Sequence, residues 1–134
     1  MGTSQSSDYF LRSGNPGLEC HAFQLVADDG DLQNIQGDGG QLVASVTKDD
    51  TGEFTVTFKN SWTKAVAVLP TIVVPGGGSA GAKVIVESFA NEASGTPLTM
   101  HFFTENAAGT PTDPADGARV QFACFLQKGP FGTR

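Results

Sequence analysis

Charge is what this sequence has least of: 16% of its residues are charged, against roughly a quarter in an ordinary soluble domain. Only eight of the 134 residues are Lys or Arg, they are scattered, and the net charge is −6. Without a basic stripe there is no electrostatic footprint for a phosphate backbone, so no nucleic acid is expected as a partner. No apolar run approaches the roughly 20 residues that a membrane-spanning helix needs, and no membrane contact is expected. Met1-Gly2 with Ser6 fits a myristoylation start only superficially, and the acidic chain offers no second membrane signal. The start of the chain lacks a basic stretch followed by an apolar one, so synthesis in a reducing cytoplasm without a signal peptide is expected.

Groups that carry chemistry are equally sparse. The two imidazoles, His21 and His101, share no local motif with the two cysteines, Cys20 and Cys124, which argues against zinc. No serine has a recognisable His and Asp partner. Glu53, Glu87 and Glu105 show no spacing that would pair two of them across a cleft. The glycine-rich loop over 75–81 lacks the Gly-Lys-Ser/Thr ending of a phosphate cradle. Asp28, Asp29 and Asp31 have the flavour of a calcium loop, but the twelve-residue spacing and its final Glu are missing, which leaves a solvated acidic turn. No catalytic residue, metal ligand or cofactor is therefore assigned.

What the sequence does have is alternation. Over 53–59, Phe54, Val56 and Phe58 alternate with Glu53, Thr55, Thr57 and Lys59, writing one dry and one wet face of a strand. Trp62, the only tryptophan, follows at a corner, and a second β-branched run fills 65–74. Two such runs joined by a short polar link are expected to form an antiparallel pair. Around this pair, 18–27 reads as a strand apolar on both faces and 41–48 as a strand with Leu42, Ala44 and Val46 inward, with an acidic loop over 28–40 between them. Over 82–90, Val84 and Val86 take one face while Ile85, Glu87 and Phe89 take the other. Leu98, Met100 and Phe102 point inward from the next strand, and Val120, Phe122, Cys124 and Leu126 from the last. Helical periodicity never lasts more than a turn. The expected fold is all-β, a single β-sandwich over 18–128 with jelly-roll or related Greek-key topology, flanked by an extended N-terminal arm (1–17) and a tail (129–134). Cys20 and Cys124 each lie in a strand and are expected to be reduced and buried rather than bridged.

Apolar side chains outside that core point to contacts. Phe103 and Phe125 fall on the parity opposite the inward residues of their strands, and Phe131 adds an aromatic to the tail. Tyr9, Phe10 and Leu11 form an apolar knot between a polar start and the breaker Ser13-Gly14-Asn15-Pro16-Gly17. These six residues are the candidate interface.

Three segments carry a resemblance: Thr51-Gly-Glu-Phe-Thr-Val-Thr-Phe, Thr104-Glu-Asn-Ala-Ala-Gly-Thr, and Thr112-Asp-Pro-Ala-Asp-Gly-Ala-Arg-Val-Gln-Phe. Over roughly residues 50–128 the chain resembles small β-sandwich virion structural proteins of tailed bacteriophages. The resemblance implies a non-enzymatic protein of the virion, a capsid decoration or cement protein. It would assemble as a homo-oligomer, a trimer, in contact with the major capsid protein or other virion proteins. A tail fibre or knob that contacts the host is the alternative within the virion. From another class, a carbohydrate-binding or trimeric ligand-type β-sandwich stays open, although one Trp and one Tyr give little for sugar stacking.

Seventeen extended residues reach on the order of 55 Å, enough to cross to a neighbour. Burying one large apolar side chain contributes about 1.5–3 kcal/mol, so three can order a short anchor at about 1–2 kcal/mol per residue, though not the whole arm. Deleting residues 1–12 should therefore leave the melting temperature nearly unchanged while weakening attachment to a particle or to further copies. A truncated protein that melts far earlier with assembly intact would place the arm in its own core.

Overall fold

The computed structural model describes residues 17–37, 42–77 and 82–128. The protein is all-β, with strands β1 (Leu18–Asp28), β2 (Asp31–Gly37), β3 (Val43–Asp50), β4 (Glu53–Phe58), β5 (Lys64–Val73), β6 (Lys83–Ala90), β7 (Thr99–Glu105) and β8 (Arg119–Gln127). They form two four-stranded sheets, the first ordered β2-β1-β8-β5 and the second β3-β4-β7-β6. Every pairing is antiparallel, and the sheets pack against each other as a sandwich. β8 returns from the end of the chain to lie between β1 and β5, a connection of Greek-key type.

Alternation in the central strands builds the dry layer. Phe54, Val56 and Phe58 of β4, with Met100 and Phe102 of the neighbouring β7, face Phe23 and Leu25 of β1 and Val120, Phe122, Cys124 and Leu126 of β8, all buried. Phe54 stacks on Phe102, Phe102 meets Phe122 edge to face, and Phe122 stacks on Phe23, which meets Phe58 edge to face, with ring centroids 5.0–6.0 Å apart. At one end of the layer Trp62 lies against His21, whose ring bonds Glu19 at 2.8 Å, while Lys128 reaches over the indole.

Five sequence expectations need correction. The runs 53–59 and 65–74 do not pair: β4 is held by β3 and β7, and β5 lies in the other sheet against β8. Asn60 and Ser61 in the link could serve a tight turn, but Trp62 turns into the core and carries the chain across the gap between sheets. The acidic loop is shorter than expected, because Asp29 and Gly30 take positive φ values of 55° and 81° and close a two-residue hairpin from β1 into β2. In β3 a bulge between Val43 and Ser45 leaves Ala44 exposed, with Leu42 and Val43 buried and Val46 half-buried. In β6 a bulge between Val86 and Ser88 turns Phe89 onto the core side with Val84 and Val86. Finally, β1 is dry on one face only, so Cys20 is exposed rather than buried.

The turn from β3 to β4 is clasped by the loop that leaves β7. Gly52 has φ 68°; its N–H donates to Asp113 Oδ1 at 2.9 Å and its carbonyl accepts from Thr104 N at 2.8 Å. Thr104, fully buried, donates its hydroxyl to the Thr112 carbonyl at 2.7 Å and accepts the Thr112 N–H on its own carbonyl at 2.8 Å. Lys48 Nζ completes the clasp on Asp113 Oδ2 at 2.9 Å. Burial pushes the Asp113 carboxyl up, but the bonds from Lys48 and Gly52 and the Lys48 charge outweigh it and hold the group below its ordinary value. A Cβ on Gly52 would come within 2.5 Å of Thr112 N and 2.6 Å of the Thr104 carbonyl oxygen. Backbone cannot yield there as a side chain could, and the positive φ adds strain. Gly52→Ala should therefore cost about 2–4 kcal/mol, read as a lower urea midpoint at unchanged slope. A midpoint within error of the parent would mean that the clasp bends freely.

Candidate functional site

The outer face of the first sheet is built from what the core leaves over. With Phe23, Leu25, Phe122 and Cys124 committed inward, the alternate residues of β1, β8 and β5 project outward in aligned rows. Cys20, Phe125 and Ala67 form one row; Ala22, Ala123 and Leu69 the next. Gln24, Gln121 and Thr71 follow, then Val26, Arg119 and Val73. Twelve positions thus hold a single charge and no carboxylate, in a chain with 14 Asp and Glu.

The relief of this face is uneven. Val66, at a bulge in β5, and Leu69 and Val73 are 46%, 60% and 40% exposed and make a ridge along the sheet edge. Beside it the small side chains of Ala22 and Ala123 leave a groove of about 530 Å³, walled by Leu69 and Thr71 and ended by Gln24 and Gln121. The polar row bonds within itself: Gln121 Nε2 donates to Gln24 Oε1 at 2.8 Å and the Thr71 hydroxyl donates to Gln121 Oε1 at 3.2 Å. An apolar partner can therefore cover the groove while these bonds stay made. Phe125 is half-buried at one end of the same face.

The outer face of the second sheet has the opposite character. His101 of β7 bonds through Nδ1 to Glu87 of β6, and its Nε2 lies 3.7 Å from Asp49 of β3 and 3.8 Å from Glu53 of β4. Asp49 also accepts the Thr55 hydroxyl. Phe103 stands edge-on to His101 at 5.0 Å and opposite the exposed Ile85. Imidazole and carboxylates here form a polar network on the surface. Among the described residues no group of three or more His, Cys, Asp and Glu is arranged to hold a metal ion. Asp29 and Asp31 are engaged in turn bonding: the Asp29 N–H donates to Asp116 Oδ1 at 2.7 Å, and Asp31 Oδ1 accepts the Leu32 N–H at 3.0 Å.

Of the sequence-derived interface residues, Phe103 and Phe125 both project outward, but from opposite sides of the sandwich, so they do not share a surface. Tyr9, Phe10, Leu11 and Phe131 lie outside the described residues. The sequence reading missed Leu69, Ala22 and Ala123. Its available signal was Ala65 to Val74, apolar on both parities, together with Pro70, which lacks an N–H and belongs at a sheet edge. No protein-family model, curated protein or solved structure matches the chain.

The two thiols provide a check on the orientation of this face. Cys20 projects outward from β1, Cys124 inward from β8, and neither is in a disulfide. Burial, with a smaller contribution from Cys20, pushes the Cys124 thiol up to about 12. In the native protein at pH 8 an alkylating reagent should modify Cys20 alone, and both cysteines in 8 M urea. Native labelling of Cys124 in place of Cys20 would reverse the parity assigned to β1 and β8, and labelling of both would show that the Cys124 side of the sandwich is not closed.

Proposed function

We propose that this chain is a non-enzymatic structural protein of a phage virion, a decoration or cement protein that assembles as an oligomer on the head and stabilises it. The observation that carries the reading is the uncharged ridge and groove on the outer face of the first sheet. Exposed apolar relief of this kind on a rigid scaffold suits a lasting contact with another protein surface. The resemblance supports the same reading. Its three segments supply the clasp around Gly52, Thr104, Thr112 and Asp113, together with β4 and the start of β8. Motif residues spent on holding strands together fit a protein whose task is mechanical.

Purified particles of the phage that encodes the chain should contain it at a fixed, high copy number, and antibody labelling should decorate the head. Particles lacking this chain should lose heads sooner on heating or at low salt. A chain absent from washed particles would overturn the proposal, and labelling confined to the tail tip would replace it with a host-contact role.

A further inference from the structure

We infer that the outer face of the first sheet binds another copy of this chain, with the β5 ridge of one copy entering the Ala22–Ala123 groove of the next. The inference rests on the structural-protein reading above and deepens it by naming the partner of that face.

Charge selects the occupant. A chain of net charge −6 repels its own copies wherever carboxylates face outward. The second sheet presents such a surface, with Asp49, Glu53 and Glu87 gathered around His101. The four rows of the first sheet present none, and their one cation, Arg119, stands in the last row beside Val73. Two copies can approach through this face without bringing like charges together at its centre, and through the opposite face only against repulsion.

Shape points the same way. A surface that joins identical chains must carry both halves of the contact. Here the half-to-fully projecting Leu69, 60% exposed, stands directly beside the trough made by Ala22 and Ala123. Side chains of that size seated in the neighbour's groove would contact its Gln24–Gln121–Thr71 row while leaving the row's own bonds in place.

Light scattering on the full-length chain tests this. At micromolar concentration the parent should have a mass that is a small whole-number multiple of 13.9 kDa. Leu69→Lys should reduce it to a single chain with an unchanged melting profile, whereas Ile85→Lys, on the opposite face, should leave the parent mass. In a Cys20→Ser background, mixing Leu69→Cys chains with Ala123→Cys chains under mild oxidation should give a mixed disulfide between copies. A monomeric parent, an assembly indifferent to Leu69→Lys, or the absence of that disulfide would each overturn the inference. The virion reading fails separately: a monomer found in particles removes the self-contact alone, and an oligomer absent from particles removes the virion role alone.

Discussion

One chain of aromatic contacts ties the two sheets together. Phe54 and Phe102 belong to the second sheet, Phe122 and Phe23 to the first, and Phe58 returns the contact to the second. Each such pair contributes about 0.5–1.5 kcal/mol beyond the area it buries. Their larger effect is on register. These rings fix which parity of β4, β7, β8 and β1 faces inward, and sliding any strand by one residue would put its rings in water and its polar partners in the core.

The character of the outside is then a consequence. With Phe23, Leu25, Val120 and Phe122 inward, Cys20, Ala22, Phe125 and Arg119 have nowhere to go but out. With Phe54 and Phe102 inward, Glu53, His101 and Phe103 face solvent on the other side. One molecule thus carries a face with a single charge in its four rows and a face rich in carboxylates, with the same dry layer between them. The same parity separates the thiols. Cys20 and Cys124 are close in the sheet yet on opposite faces, so no rotamer change would bridge them.

Strands whose alternation is strict were readable from sequence: β4, β7 and β8 have the expected inward residues, and the all-β sandwich follows from them. Where a bulge intervenes, a period-two reading slips by one. Ala44 is exposed and Phe89 lies on the core side because bulges at Val43/Ser45 and Val86/Ser88 shift the count. The β1–β2 hairpin was legible in Asp29-Gly30, a pair suited to positive φ at both positions, but the surrounding acids drew the reading toward a loop. Strand partners were not legible, because proximity in sequence favours β4 with β5, whereas Trp62 sends the chain across the sandwich. The charge-poor outer face of the first sheet was the least visible of all. It consists of residues from β1, β5 and β8 that only the pairing brings side by side.

Turns and outer face are held by different constraints. Gly52, Thr104, Thr112 and Asp113 meet in one hydrogen-bonded clasp, where geometry permits few residue types. Leu69, Ala22 and Ala123 make the exposed relief, where many apolar side chains would fold as well. Residues held by backbone closeness are restricted by the fold itself, while the outward residues are restricted only by what surrounds them. The fold therefore dictates its turns far more tightly than its outer sheet, whose shape and charge are set by residues that the core does not use.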